Sequence, residues 1–252
     1  MTKNDVGNQP SEKNLKLFSV LTGLFVATLL LANVTSSKIF ALGPFPLPGG
    51  VIVFPLAFIF GDILTETYGF ALSRKVIWTG FGCQVLAAIV YLVVGALPAA
   101  EFWNNQAAYD SILGFVPRII LGSIVAYFCG EFCNSYVLSK MKYWAGGKRG
   151  FSQGWRFIAS TAVGEGVDTL VITTIAFAGV YSLSQLFQIG LSVYLFKVLF
   201  EIVALPLSIP LSNFVKRIEG VDVIDKPGTT NYNPLVFELS IPTADVEVKS
   251  TR

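Results

Sequence analysis

The sequence predicts an all-α membrane protein with six transmembrane helices. Of its 252 residues, 53% are hydrophobic and only 13% are charged, whereas roughly a quarter of the residues are charged in ordinary globular proteins. The mean hydropathy is +0.64. Apolar runs that can cross about 30 Å of hydrocarbon recur along the chain. They cover residues 17–37, 51–70, 76–97, 111–139, 157–180 and 186–215.

The spans divide the chain into a tail of residues 1–16, a membrane domain of residues 17–215 and a second tail of residues 216–252. Lys and Arg gather before span one, between spans two and three, between four and five, and after six, but are absent from the loops after spans three and five. The positive-inside rule therefore predicts cytoplasmic tails on a multi-pass protein of the cell (inner) membrane. The polar composition after residue 215 predicts a mobile extension.

Composition also excludes several classes of function. The chain contains no histidine, so histidine-based metal sites and the Ser/His/Asp triad are excluded. The net charge is only +2, and the basic residues follow apolar runs instead of forming a patch, which argues against a nucleic-acid partner. We predict no catalytic residues, no metal site and no cofactor.

Six carboxylates lie in or against the apolar spans, at Asp62, Glu66, Glu131, Glu165, Asp168 and Glu201. Only Lys38, Arg118 and Lys197 accompany them, so these groups together carry a formal charge of −3. An ionised side chain at the bilayer centre costs about 2.5–3.5 kcal/mol on insertion scales. A chain that keeps six carboxylates there is expected to use them, with protons, bound cations or a cationic solute balancing the surplus.

The acids form pairs at helical spacing. Asp62 and Glu66 share one face of the second span, and Glu165 and Asp168 share one face of the fifth. Asp62 and Asp168 are too short and too deep to reach water along the lipid, so we expect both to point inward. Each half of the chain has three spans, so the second half is inverted relative to the first, and inverted-repeat transporters bind solutes where the halves meet.

Several of these assignments leave alternatives open. Glu131 either faces the interior or reaches the interface towards Lys140. Lys197 and Glu201 are four residues apart, and they either neutralise each other along their own helix or line a polar pathway. Glu66 either faces the interior or reaches the headgroups beside Arg74 and Lys75.

Backbone features point to the same zone. Pro206 and Pro210 interrupt the hydrogen bonds of span six just after Glu201, and freed carbonyls need protein or a wet cavity at that depth. Gly164 and Gly166 flank Glu165 and allow another helix or a ligand to approach closely.

Several motifs occur in order between about Asn33 and Asp225. They are Ser36-Ser37-Lys38, the segment from Phe54-Pro55 through Asp62 to Glu66, Tyr68 and Gly69, Trp78-Thr79-Gly80-Phe81, Gly130-Glu131-Phe132-Cys133-Asn134-Ser135, Trp155-Arg156, Gly164-Glu165-Gly166-Val167-Asp168-Thr169, and Lys197 with Glu201 and Pro206. As a set, they resemble the queuosine precursor transporters, also called the vitamin uptake transporter family.

The resemblance implies import of 7-cyano- or 7-aminomethyl-7-deazaguanine for salvage into the tRNA nucleoside queuosine. A guanine-like edge presents two adjacent N–H donors that one carboxylate can accept, and an aminomethyl group adds a cation. We expect Asp62 or Asp168 to bind the base edge. Glu66, Glu165 or Glu201 then carries a coupling proton or the amine. The candidate substrate-binding residues are Asn33, Lys38, Phe58, Asp62, Glu66, Tyr68, Glu131, Asn134, Glu165, Asp168, Lys197 and Glu201, with Phe58 or Tyr68 stacking on the ring.

Two other functions compete with this one. A substrate-binding subunit of an energy-coupling vitamin importer also has about six helices, but it requires a separate ATPase. Asp62 and Asp168, each near a glycine, are also compatible with an intramembrane aspartyl protease, although the neighbouring Lys and Glu residues would disturb a proton-sharing pair. The sequence leaves open whether transport is coupled to a proton, whether the protein forms a homodimer, and which of the two deazapurines it prefers.

Overall fold

The structure, a computed structural model, describes residues 15–36, 38–42, 45–114, 117–177, 182–226 and 230–236. Much of both predicted tails, residues 1–14 and 237–252, lies outside this part. The described elements are α1 (Phe18–Thr35), β1 (Ile39–Leu42), β2 (Phe45–Pro48), α2 (Gly50–Tyr68), α3 (Phe70–Gly95), α4 (Gln106–Ile112), α5 (Pro117–Trp144), α6 (Phe151–Phe177) and α7 (Leu183–Glu219).

Five of the described helices are long and apolar enough to cross a membrane, namely α1, α2, α3, α6 and α7. This agrees with the predicted multi-pass membrane protein. Helix α5, with 28 residues, occupies the place of the predicted fourth span but is not among these five. The count of six spans therefore stays a prediction.

A small hairpin departs from the predicted all-α fold. Strands β1 and β2 pair antiparallel, with Ile39 opposite Pro48 and Leu42 opposite Phe45. The physical reason lies in Pro46 and Pro48, which cannot continue a helix but are tolerated in a two-stranded sheet, where both strands are edges.

The junction between α2 and α3 also differs from the prediction. A loop was expected over residues 71–75, but the two helices are separated by Gly69 alone, whose φ is +80°. Glycine reaches this φ without a steric penalty. The first backbone donor of α3, the Phe70 N–H, is satisfied by the Asp225 carboxylate at 2.9 Å. The chain thus turns in one residue because a distant carboxylate caps the new helix.

Helix α2 is the central helix of the described fold. It packs against α1, α3, α5 and α7, while α5 packs against α6 and α6 against α7. Every residue from Gly61 to Phe70 is buried. The polar residues of α2 are therefore enclosed by neighbouring helices, as the sequence predicted for Asp62.

The segment after α7 is packed against the helices, which differs from the predicted mobile extension. Residues 221–226 and 230–236 contact α2, α3 and α5 through named hydrogen bonds, including Val223 N–H to the Thr67 carbonyl at 3.1 Å and Trp78 Nε1 to the Pro234 carbonyl at 2.8 Å. Composition alone did not reveal these partners, because they lie more than 150 residues away along the chain.

Candidate functional site

Charged side chains from four helices meet inside the bundle. Helix α2 contributes Asp62, α5 contributes Glu131, α6 contributes Glu165 and Asp168, and α7 contributes Lys197 and Glu201. We call these six residues the central acid cluster. All are buried, with at most 7% of the residue exposed. The predicted convergence of acids from different helices is thus observed, and the cluster holds five carboxylates and one ammonium group.

Lys197 bridges the two acids of α6. Its ammonium group lies 2.6 Å from a Glu165 oxygen and 2.9 Å from an Asp168 oxygen, and 4.2 Å from the centre of the Phe54 ring. The alternative in which Lys197 neutralises Glu201 along its own helix is therefore wrong. The helical spacing predicted for Glu165 and Asp168 is confirmed, because one cation reaches both.

Asp62 is held by side chains of two other helices. One carboxylate oxygen accepts a hydrogen bond from Asn134 Nδ2 at 2.8 Å, and the other accepts a longer bond from the Thr161 hydroxyl at 3.4 Å. Asp62 therefore ties α2 to α5 and α6. Asn134 and Thr161 leave its negative charge uncompensated, since both are neutral.

Glu131 and Glu201 are the exceptional members of the cluster. Both are buried, at 0% and 1% exposure, and neither oxygen of either carboxylate has a hydrogen-bond partner among the described residues. Glu131 is close enough to repel Glu165 and Asp168 electrostatically. Buried polar groups are normally bonded, so two bare carboxylates in one place call for a bound solute, water or protons.

The unsatisfied polar atoms of this region share one chemical property. The oxygens of Glu131 and Glu201 are hydrogen-bond acceptors, and so are the free oxygens of Asn134 and Glu165. An ionised carboxylate and an amide oxygen accept but do not donate. The cluster is therefore complementary to a solute that is rich in N–H donors or positively charged.

Glycines let the helices that carry these acids come close together. A Cβ on Gly130 would lie 2.9 Å from the Gly164 carbonyl oxygen, and a Cβ on Gly164 would lie 2.9 Å from the Gly130 carbonyl oxygen. A Cβ on Gly61 would collide with the Glu131 carboxylate. The close approach predicted at Gly164 is confirmed, whereas Gly166 has only an ordinary contact with Tyr194.

Glu66 belongs to a second group of charges near the ends of the helices. One of its oxygens lies 2.6 Å from Arg156 and 2.7 Å from Lys216, and its backbone carbonyl accepts a bond from Lys142. Glu66 is fully buried, so the alternative in which it reaches headgroups beside Arg74 and Lys75 is wrong. We define the helix-end ion cluster by its five members, Glu66, Lys142, Arg156, Lys216 and Asp222.

Asp222 is the one member of the helix-end ion cluster that lies outside a helix. Its carboxylate is 2.6 Å from Lys142 and 3.0 Å from Lys216, and its side chain is 16% exposed. Burial by itself would raise the pKa of Asp222, but attraction to Lys142 and Lys216 outweighs it and holds the pKa below the ordinary 3.8. Asp222 therefore stays ionised at neutral pH.

The remaining predicted residues have other surroundings. Phe58 is buried, with its ring 5.6 Å from that of Phe54. Tyr68 donates its hydroxyl to Glu219 at 3.1 Å. Asn33 donates to Gln84 at 2.9 Å, and Lys38 is exposed in the short segment after α1. Phe58 and Asn134 therefore adjoin the central acid cluster, whereas the contacts of Tyr68, Asn33 and Lys38 lie elsewhere.

Several charged partners are not apparent from the sequence. There, Lys142, Arg156 and Lys216 indicate only the orientation of the protein, apart from the place of Arg156 in the Trp155-Arg156 family motif, and Asp222 belongs to the predicted mobile tail. The structure buries the three cations to 2% exposure or less. No local signal distinguishes such cations from interfacial anchors, because both follow apolar runs. Tyr127, by contrast, could have been found from its position one helical turn before Glu131; it is 2% exposed, and its hydroxyl has no hydrogen-bond partner among the described residues.

Comparison with known proteins places this geometry in context. A family model described as "Putative vitamin uptake transporter" matches residues 48–211, a range that contains the whole central acid cluster. The "Probable queuosine precursor transporter" of Bacillus subtilis (strain 168) is 32% identical over 158 residues, covering 62% of this chain and 68% of that protein. The "Queuosine precursor transporter" of Escherichia coli (strain K12) is 28% identical over 176 residues, covering 67% and 75%. No solved structure matches the chain.

Proposed function

Because the chain belongs to the family described as "Putative vitamin uptake transporter", we propose that it is a membrane transporter that imports queuosine precursors. The two named relatives carry that activity in their descriptions. The central acid cluster is the observation that supports the proposal most directly. A polar site that is buried among apolar helices, and is short of hydrogen-bond donors, is what a donor-rich solute requires on its way across a bilayer.

The chemistry of the solute fits the free acceptors. A 7-deazaguanine presents adjacent N–H donors on its guanine-like edge, and the unpartnered oxygens of Glu131, Glu201 and Asn134 are acceptors. Asp62 holds Asn134 in place by their hydrogen bond. The neighbouring rings of Phe54 and Phe58 offer a surface on which a planar base can stack.

The charge of the site supports a positively charged partner. Lys197, the one cation of the central acid cluster, is already shared by Glu165 and Asp168. The remaining carboxylates are balanced by an aminomethyl group of the substrate, by coupling protons, or by both. A proton-coupled importer would then take up 7-aminomethyl-7-deazaguanine more strongly when the outer pH is lower than the inner pH.

The proposal includes a topology. Helix α5 is the fourth of six spans, both chain ends are cytoplasmic, and the protein lies in the cell membrane, as the distribution of Lys and Arg favours. Helices α1 to α3 and α5 to α7 are then two inverted halves. The acid pairs on α2 and α6, the middle helix of each half, support this arrangement, although Glu66 is tied into a different cluster from Asp62.

The competing functions make different demands on the same residues. An intramembrane aspartyl protease needs two aspartates that share a proton, but Asp62 bonds to Asn134 and Asp168 bonds to Lys197. An energy-coupling importer subunit needs an ATPase for activity. The bonds of Asp62 and Asp168 do not fit the shared proton of the protease, and the uptake experiment below tests the need for an ATPase.

Uptake by the purified full-length chain in liposomes tests the proposal. We expect accumulation of 7-cyano- or 7-aminomethyl-7-deazaguanine above empty liposomes without ATP or any second protein. Glu101→Gln, which changes an exposed acid outside the helices, is the matched control and should transport like the wild type. Absence of uptake of both compounds by folded protein would overturn the proposal, and uptake that requires an ATPase would favour the energy-coupling alternative.

A further inference from the structure

The segment that follows α7 closes one end of the helix bundle. It comprises residues 221–226 and 230–236 of the described chain and lies after the residues 48–211 matched by the family model. Its two parts are held by different kinds of contact. The second part is anchored to α3 and α5 by hydrogen bonds and ring contacts, and the first part is held mainly by ion pairs with buried cations.

The second part forms the anchor. Arg74 donates to the carbonyl oxygens of Asn231 and Asn233 at 2.8 and 2.9 Å. The Tyr232 ring lies 5.1 Å from the Phe70 ring, and the Lys140 ammonium lies 3.9 Å from the centre of the Tyr232 ring. These contacts involve only α3 and α5, so they can persist while other helices move.

The first part also contacts α2 and α7, which the anchor does not touch. Val223 donates its N–H to the Thr67 carbonyl at 3.1 Å and accepts from Lys142 at 2.5 Å. Asp222 pairs with Lys142 of α5 and Lys216 of α7. Lys216 in turn shares one Glu66 oxygen with Arg156 of α6. The helix-end ion cluster therefore fastens α2, α5, α6 and α7 together, and Asp222 completes it from outside the helices.

The helix-end ion cluster lies between the central acid cluster and one end of the bundle. Glu66 follows Asp62 by one turn of α2, and the whole stretch from Gly61 to Phe70 is buried. A solute that leaves the central acid cluster towards this end of the bundle must pass the layer of Glu66, Arg156 and Lys216. It must then pass residues 221–223, so these contacts have to break before release.

We propose that residues 221–223 and the helix-end ion cluster form a gate at the end of the bundle where α7 ends, and that Asp222 leaves Lys142 and Lys216 when the gate opens. This inference rests on the proposed transport function for its direction, which is release into the cytoplasm. The charge count favours such a switch. With Asp222 in place, two carboxylates face three buried cations, and Asp222 is also 3.4 Å from the exposed Arg149. Without it, Glu66 alone faces three buried cations that repel one another.

Thiol labelling tests the gate without any substrate. Thr65 lies between Asp62 and Glu66 and is 1% exposed, so Thr65→Cys, in a chain whose Cys83, Cys129 and Cys133 are replaced by serine, reports access to the interior. A membrane-impermeant thiol reagent is added to the outside of inverted vesicles, where the cytoplasmic face of the membrane meets the reagent. We expect Asp222→Asn to raise the labelling rate about fivefold by shifting the population towards the open gate.

Two variants serve as controls for labelling. Asp222→Glu keeps the charge and should label at close to the original rate, and Glu101→Gln, remote from the cluster, should not change it. Equal labelling rates in Asp222→Asn and in the original chain would overturn the gate. The gate would also be overturned if Asp222→Glu labelled as fast as Asp222→Asn. Loss of the negative charge would then not be the cause of the faster labelling.

Cross-linking supplies a second test that does not depend on removing a charge. Thr67→Cys combined with Val223→Cys places two thiols at neighbouring backbone positions. We expect oxidation of this pair to lower uptake about tenfold by blocking the open state, and a reductant to restore it. Each single cysteine variant under the same oxidant should retain uptake. Full uptake by the cross-linked protein would overturn the gate.

The two proposals fail in different ways. If the wild type does not transport queuosine precursors but Asp222→Asn still labels faster, the proposed substrate is wrong and the gate stands. If the wild type transports them while neither labelling nor cross-linking has an effect, the gate is wrong and the proposed function stands.

Discussion

The central acid cluster and the helix-end ion cluster meet on α2, where Asp62 belongs to the first and Glu66, one turn later, to the second. Both clusters are buried, but they treat charge differently. The central acid cluster has five carboxylates around one ammonium and leaves Glu131 and Glu201 without hydrogen-bond partners among the described residues. The helix-end ion cluster has two carboxylates among three cations, in close ion pairs.

This difference indicates which cluster stabilises the fold and which one acts in transport. A buried charge that is already paired contributes to holding the helices together. Removing one partner leaves the other as an uncompensated charge in the low-dielectric interior, which is destabilising. A buried charge without a partner can only destabilise the empty protein, so its presence indicates a transient partner. We therefore expect mutations in the two clusters to affect different measurements.

The largest effect is expected for Glu66→Gln. It removes the carboxylate shared by Arg156 and Lys216 and leaves buried cations without compensation, which costs about 3–5 kcal/mol of stability. The thermal midpoint of the detergent-purified full chain should fall clearly below that of the wild type, with Glu101→Gln as the control. If the midpoint is unchanged but uptake is lost, Glu66 functions with the central acid cluster and the comparison fails.

Asp62→Asn should affect uptake instead of stability. The amide has nearly the same shape and its oxygen can still accept from Asn134, so the link between the helices is kept, but the negative charge is lost. We expect uptake of queuosine precursors to fall at least about tenfold, as for the loss of one charged hydrogen bond, while the thermal midpoint stays close to that of the wild type. Normal uptake with normal expression would remove Asp62 from the site.

Glu201→Gln sharpens the contrast further. The wild-type carboxylate is buried without a hydrogen-bond partner among the described residues, so replacing it with a neutral amide should relieve a cost. We expect the thermal midpoint to rise by about 2–4 °C, the shift for about 1 kcal/mol in a chain of this size, while uptake decreases. A midpoint that falls as far as that of Glu66→Gln would show that Glu201 is structural.

The smallest effect concerns Asp222 and pH. Because its folded-state pKa lies below 3.8, ionised Asp222 stabilises the folded protein above about pH 4, and this contribution disappears as the pH falls through the lowered pKa. Asp222→Asn should therefore lower the thermal midpoint by about 2–4 °C at neutral pH. The difference should shrink in high salt, because the side chain is partly exposed.

The control for this prediction is Asp222→Glu, which should keep most of the wild-type midpoint. A difference between Asp222→Asn and the wild type that persists unchanged well below pH 3.8 would mean that an interaction other than the ion pairs is responsible.

Lys197 illustrates why side-chain partners could not be assigned from sequence. Helical spacing allows a bond to Glu201 on the same helix, but the cation instead bridges Glu165 and Asp168 on α6. Spacing reports neighbours only within one helix. Which helix lies opposite is decided by packing, here by the contact between α6 and α7.

The region after α7 shows the same limit more strongly. Its polar composition predicted mobility, yet Asp225 caps α3 through the Phe70 N–H, and Asp222 completes an ion cluster. A polar segment is mobile only if its polar groups find water instead of protein partners. The partners in this case are Lys142, Lys216 and Phe70, all of which belong to helices.

The sequence by itself determined that this is a multi-pass membrane protein, where most of its helices run, and that Asp62 and Asp168 point inward. These properties follow from hydropathy and helical period, which act along the chain. Only the tertiary structure decided that Glu66 and Asp62 belong to separate clusters, that Lys197 bridges the two acids of α6, and that Asp222 pairs with buried cations at one end of the helix bundle. Those choices depend on which charges become neighbours after packing, and in a low-dielectric interior nearby charges dominate the energy.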